Sequence, residues 1–251
     1  MFLALSSEIT TNAFILGSIA AFVLGVSKSG IKGIAIIIVT LMALGFGPKA
    51  STGLLVPLLI VGDIFAVIYY NRHTQWKYIL RFLPWMMLGV LIGVYIGDSI
   101  DEETFKLSMS IIILSSVIMM YWWDQKKSKK VPTHIAFAGS MGIMAGITTM
   151  IGNLAGAFSN IFFLAMRLPK NEFIGTAAWL FFIINIFKLP FHIFVWETIT
   201  VNTLIINLKL VPGIFIGLFV GVRLVKMIKD NFYRKMILIL TAIGALLILF
   251  R

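Results

Sequence analysis

No cysteine occurs anywhere in the 251 residues. Disulfides, thiolate metal sites and thiol nucleophiles are therefore excluded, and cysteine usage says nothing about compartment. Histidine is nearly as scarce, and three scattered imidazoles do not make a ligand set. Charge is thin as well: 12% of the chain is Asp, Glu, Lys or Arg, against about a quarter in ordinary soluble domains, while 60% is hydrophobic. That balance excludes a soluble globular domain and leaves an integral membrane protein. Acidic residues are the scarcer sign, 10 against 21 basic, for a formal net charge of +11. The basic residues gather in loops between apolar runs rather than along one face, so no DNA or RNA partner is implied. Enzyme signatures are missing too: there is no zinc-protease histidine pair, no serine-nucleophile elbow, no nucleotide loop and no carboxylate cluster, so neither catalysis nor a cofactor or metal is expected. Residues 1–11 carry no basic residue and no small-residue cleavage pattern, so they do not read as a removable signal peptide.

What the chain does have is glycine set between apolar runs. Residues 12–24 and 34–46 form two apolar arms, each about half to three-quarters of the ~20 residues that a spanning helix needs. Between them lies Gly25-Val26-Ser27-Lys28-Ser29-Gly30-Ile31-Lys32-Gly33. A second elbow, Gly142 to Gly156, sits between arms 135–145 and 157–166. Short, Gly-interrupted hydrophobic segments at matching places in two halves are the mark of a transporter site built from broken helices. The two elbows are expected to hold the substrate.

Further landmarks repeat in order. Spans are expected at 52–70, 78–97 and 104–123, then again at 172–189, 201–224 and 232–250. Pro169-Lys170 repeats the turn at Pro48-Lys49, Asn185 falls near the place of Asp63, and Pro212, Gly217 and Gly221 follow Pro84, Gly89 and Gly93 at a constant offset of 128. Such order indicates an internal duplication. The expected fold is an all-α integral membrane protein with two inverted-topology repeats, each a broken, re-entrant helical hairpin plus three transmembrane helices. The first repeat covers 1–124, a basic cytoplasmic linker 125–132, and the second repeat 133–251. An odd number of spans after each hairpin requires the inversion. The Gly-repeat faces of 78–97 and 211–225 allow close packing within the chain or across a homodimer.

Basic residues then set the orientation. One side collects Arg72, Lys77, Arg81, the linker lysines Lys126, Lys127, Lys129 and Lys130, Arg167, Lys170, and the group from Arg223 to Lys235. The positive-inside rule makes that side cytoplasmic and places both termini outside. Trp76, Tyr78, Tyr121, Trp122, Trp123 and Tyr233 fall at the same interface, where amphipathic rings prefer to sit.

The candidate site residues follow from the elbows. If the first arm turns back inside the bilayer, Lys28 and Lys32 each cost about 3 kcal/mol unless paired or in a wet cavity. The second arm begins beside them with unpaired N–H groups and a positive dipole end, so the site wants an anion. Ser27 and Ser29 can donate hydrogen bonds, while Gly30 and Gly33 let the backbone unwind and approach. The second elbow offers neutral donors: Thr148, Thr149, Asn153, Gly156 and, one turn on, Ser159 and Asn160. In the competing reading the hairpin crosses fully, Lys28 and Lys32 are ordinary loop lysines, and the hydroxyls and amides only join neighbouring helices. Asp63, the acid inside a span, serves either as a proton carrier or as the charge partner of Lys28 or Lys32. Lys188 and His192 could form an anion-attracting vestibule, and Lys188 could equally snorkel to the interface. Trp85 and Trp179 are expected to pack.

The Gly25…Gly30…Gly33 elbow followed by Gly47-Pro48-Lys49-Ala50, the stretch Thr74-Gln75-Trp76-Lys77, the Gly89-Gly93-Gly97 span, and the repeat at Gly146…Gly156, Pro169-Lys170 and Gly217-Gly221 resemble the TauE/SafE family of sulfite exporters and organosulfonate permeases. The resemblance covers about residues 16–249. It implies a bacterial inner-membrane transporter of a small sulfur-containing anion such as sulfite, sulfoacetate or another organosulfonate, driven by protons or membrane potential. The chain departs from the family's elbow by carrying Lys28 and Lys32 and by losing one adjacent-glycine run in each half. The absence of cysteine disfavours a thiosulfate carrier that relies on thiols. The leading expectation is a secondary transporter with alternating access by one inverted half moving against the other. A passive anion channel, or a non-transporting membrane subunit of a larger complex, would share the cationic elbow.

Overall fold

The computed structural model describes residues 10–101, 103, 104, 107, 111, 134–228 and 232. Among them all regular structure is helical. Helices α1 (Thr11–Lys28) and α2 (Ala35–Phe46) flank the first elbow, and α3 (Pro48–Tyr70), a 3-10 turn (Asn71–His73) and α4 (Trp76–Asp98) follow. Then come α5 (Ile135–Gly152) and α6 (Gly156–Ala165) around the second elbow, α7 (Lys170–Phe194) and α8 (Val201–Met227). Six of these, α1, α3 with its 3-10 turn, α4, α5, α7 and α8, are long and apolar enough to cross a membrane. The spans expected at 104–123 and 232–250 and the linker 125–132 fall outside the described residues, apart from Thr104, Leu107, Ile111 and Phe232.

The elbows differ from their expected extent. The first break covers only residues 29–34 and the second 153–155, because α1 runs on to Lys28 and α5 to Gly152. Each elbow is thus one 18-residue helix of spanning length joined to a short one, of 12 residues in α2 and 10 in α6, rather than two short arms. The reason lies in what the glycines do. A Cβ on Gly25 would overlap the Ile214 carbonyl, and one on Gly146 the Met86 carbonyl. On Gly142 it would stand 2.7 Å from the Trp85 Cβ and 3.0 Å from the Phe82 carbonyl oxygen. These glycines let helices approach backbone to backbone, and the helix carries straight through them.

Two close pairs result. α1 lies on α8 and α4 lies on α5, with the contact returned from the other side: Gly217 meets the Phe22 carbonyl and Gly89 the Ile143 carbonyl. The Gly-repeat faces of α4 and α8 are therefore engaged within the chain. α3 and α7 pack on each other between the pairs. The buried rings of Phe82, Phe162, Phe163 and Phe173 fasten α6 to α4 and α7, with Phe82 and Phe162 centroids 4.6 Å apart. Large apolar side chains such as Ile68, Tyr95, Leu208 and Phe219 stay exposed, while Lys28, Lys32, Asp63 and Lys188 are buried. Apolar outside and charged inside is the distribution a bilayer selects.

Candidate anion site

The first elbow is made by two residues that only glycine conformations allow. Gly30 at φ 126° and Gly33 at φ 99° turn the chain away from α1 and back into α2. Ser29 ends α1, its N–H bonded to the Gly25 carbonyl at 3.0 Å and its hydroxyl to the Val26 carbonyl at 2.7 Å. The Tyr70 hydroxyl donates to the Ser29 carbonyl at 2.7 Å, tying the elbow to the end of α3. Ile31 and Ile34 anchor it in the core.

The second elbow has no such glycines. Asn153 takes the left-handed conformation, φ 54° and ψ 30°, which Asn tolerates better than most residues. The N–H groups of Asn153 and Leu154 satisfy the Thr149 and Thr148 carbonyls and close α5. The Asn153 side chain is held from both ends: its amide N–H donates to the Thr52 carbonyl at 3.0 Å, and its Oδ1 accepts from Lys188 Nζ at 2.6 Å. Lys188 also donates to the Thr149 carbonyl at 3.1 Å and its hydroxyl at 3.2 Å. A cation thus sits on the C-terminal end of α5, where the helix dipole favours one.

Between the elbows lies a cavity of about 560 Å³, including its mouth. Ser27, Lys28, Lys32 and Gly33 line it from the first elbow and Thr149, Asn153, Gly156 and Asn160 from the second. Phe181 and Asn185 of α7 and Leu59 of α3 complete the polar and apolar wall. The two lysines stand over the same ring, Lys28 Nζ 5.5 Å and Lys32 Nζ 5.6 Å from the Phe181 centroid. Lys28 is paired: its ammonium meets Asp63 Oδ1 at 2.6 Å, and Asn185 donates to Oδ2 at 2.7 Å. Lys32 is buried to 4% exposure and forms no ion pair or hydrogen bond among the described residues. Asn160, at 2% exposure, has an Oδ1 without a partner among them. The short helices α2 and α6 both start at the cavity, at Ala35 and Gly156, and neither has a side-chain cap on its first N–H groups. Three buried ammonium groups stand against one buried carboxylate among the described residues. The wall is short of negative charge.

A model of the sulfite exporter TauE/SafE family matches residues 13–248. The chain belongs to the TauE/SafE family. It is accordingly a multi-pass membrane transporter, not an enzyme. A comparison with curated proteins gives no match, and one with solved structures gives none either.

For this TauE/SafE protein, eight of the residues singled out from the sequence converge on the cavity and the others do not. Ser29 and Thr148 are fully buried with their hydroxyls turned to backbone carbonyls, and Gly30 packs under Ile174. Ser159 donates to the Ala155 carbonyl. Lys188 does not snorkel: it is fully buried behind Asn153 and Thr149. His192 is fully buried one turn further along α7. Lys28 and Lys32 are not surface-loop lysines, at 6% and 4% exposure. Trp179 does pack, tilted against the Trp76 ring with centroids 5.0 Å apart and bonded to Asn71.

Phe181 was missed by sequence reasoning, although the signal was present. Phe181, Asn185, Lys188 and His192 recur at i, i+4, i+7 and i+11, one stripe of α7. Leu59, Asp63, Ala66 and Tyr70 form the same stripe on α3.

Proposed function

We propose that this protein is a secondary transporter of a small sulfur-containing oxyanion, sulfite or a short organosulfonate, held between the two elbows during alternating access. The reading rests on one observation above all. Lys32 presents a buried ammonium without a counter-ion among the described residues to a cavity that also receives the uncapped starts of α2 and α6. An anion supplies what that wall lacks: it accepts from Lys32 and from the free N–H groups at the starts of α2 and α6. Family membership favours a sulfur oxyanion over other anions of that size.

The inverted repeat is part of the same reading. Its support is that Gly25 meets Ile214 and Leu218 of α8 as Gly146 meets Met86 and Val90 of α4. The two α8 positions stand at the offset of 128 from their α4 counterparts, the offset of Gly217 from Gly89. In this arrangement the elbow helix of each half packs on the span of the other. The moving bodies are then the pairs α1–α8 and α4–α5, each drawn from both halves, rather than one half against the other. Loop charge supports a cytoplasmic Arg72 and Lys170 side, with the termini on the other side.

The test is flux of radiolabelled sulfite and methanesulfonate into proteoliposomes of the purified chain. Saturable uptake that an opposing unlabelled anion accelerates is the expected result. Non-saturating conductance would indicate a channel, and no flux would indicate a subunit that needs partners.

A further inference from the structure

His192 is a buried titratable residue that does not line the anion cavity. It lies one helical turn beyond Lys188 on α7, has no solvent exposure and meets Trp196 edge to face, with centroids 5.2 Å apart. Thr198 sets the ring. Its hydroxyl stands 3.4 Å from the His192 carbonyl and 2.9 Å from Nδ1; when the hydroxyl donates to the carbonyl, the ring proton lies on Nδ1. Nε2 is then an open acceptor with no donor among the described residues. A buried imidazole with an unfilled lone pair takes a proton once a nearby negative charge offsets the cost of burying the cation.

The charges around it are few. Lys188 stands at i−4 on its own helix, and Lys49 of α3 lies across the Trp196 ring, 6.0 Å from its centroid. Asp63 of α3 is two turns back toward the cavity, bonded to Asn185. From α4 come Gly97 and the Val94 carbonyl, both against Trp196. α5 and α6 contain no titratable residue, and Asp98 and Glu197 are exposed. A proton on Nε2 would therefore stand chiefly against the Lys188 ammonium. Lys188 in turn donates to Asn153 Oδ1 and Thr149 Oγ1, both on residues of the cavity wall.

We propose that His192 is the proton-binding site of the transport cycle, loaded together with the anion. An anion in the cavity offsets the positive charge of Lys188, and a proton then adds to Nε2 at lower electrostatic cost. The linkage is reciprocal, so a protonated His192 holds the anion more tightly. The proton comes from water on the side where the anion enters, forms an N–H bond at Nε2, and returns to water on the other side. Asp63 is not required as a carrier, because Lys28 and Asn185 already occupy both of its oxygens.

This inference rests on the transport reading above, and its test separates the two. Wild-type and His192→Gln proteoliposomes are loaded with a pH-sensitive dye and given radiolabelled sulfite or methanesulfonate, the second of which carries no proton of its own near neutrality. In wild type, an inward proton gradient should drive accumulation with measurable proton entry. In His192→Gln, gradient-driven accumulation should fall by about tenfold or more, and anion-for-anion exchange should lose the pH dependence it has in wild type. No wild-type flux of either probe would overturn the transport reading and this inference with it. Wild-type flux without proton entry, or undiminished gradient-driven accumulation in His192→Gln, would overturn this inference alone. Should His192→Gln not fold, His73→Gln/His134→Gln decides the matter, since both positions are exposed and His192 is then the sole histidine. Nitrogen NMR of that imidazole should show protonation at Nε2 promoted by saturating methanesulfonate between about pH 5 and 8. An unprotonated Nε2 across that range, with and without the anion, would overturn the proposal.

Discussion

Lys28 and Lys32 stand four residues apart on one elbow and over one ring, yet their substitution should have different consequences. Lys28→Ala removes the ion partner of a fully buried carboxylate, a loss worth about 3–5 kcal/mol when one member of a buried pair is deleted. Lys32→Ala removes an ammonium that nothing among the described residues relies on. We expect Lys28→Ala to lower the melting temperature in detergent sharply and Lys28→Ala/Asp63→Asn to recover most of the loss. Lys32→Ala should melt like wild type and bind sulfite about 10- to 100-fold more weakly by calorimetry, the ~1.5–3 kcal/mol of a hydrogen bond to a charged group. Wild-type affinity in Lys32→Ala would remove this lysine from the site. The meeting of two lysines with an uncapped helix start at the elbow was legible in the sequence. What separates their roles was not, since the ion pair joins residues 35 positions apart and depends on how α1 lies against α3.

At the scale of the element, glycine has two uses here that look the same in a sequence. Gly30 and Gly33 take backbone angles that side chains avoid, whereas Gly25, Gly142 and Gly146 sit in unbroken helix and clear room for a neighbouring backbone. This is why the four expected spans that fall within the described residues could be placed within about five residues while the elbows were drawn too long. The second elbow turns at Asn153, one left-handed residue that the glycines around it obscured. The packing role makes a graded prediction. Gly25→Ala and Gly146→Ala each push a methyl into a carbonyl on the partner helix and should cost at least the 1–3 kcal/mol or so of ordinary overpacking. Gly139→Ala, on the same face of α5, meets the Trp85 ring at 3.5 Å, an ordinary contact, and should be neutral or slightly stabilising through helix propensity. Chemical melts of the three variants in one detergent would check the order. Equal losses at Gly139 and Gly146 would mean that backbone approach is not what these glycines provide.

For the whole molecule, the question is which helices move together. Two halves rocking against each other would have to slide α1 past α8 and α4 past α5, where glycines hold backbone against backbone. Contacts of that kind have no flexible side chain to absorb a shift, and packed interfaces move between discrete states rather than deform continuously. The looser surroundings are those of the cavity, where α2 and α6 begin and where polar side chains rather than backbones meet. The absence of native cysteine allows a direct experiment. A Cβ on Gly213 lies 3.3 Å from the Ala21 Cβ, a few tenths below the spacing of about 3.5–4.5 Å found in disulfides. Ala21→Cys/Gly213→Cys should therefore cross-link α1 to α8 under mild oxidant. If that pair travels as one body, the oxidised protein keeps anion exchange within about twofold of the reduced protein. Flux that stops on oxidation and returns on reduction would show that α1 and α8 part during the cycle, and the halves themselves would then be the moving bodies.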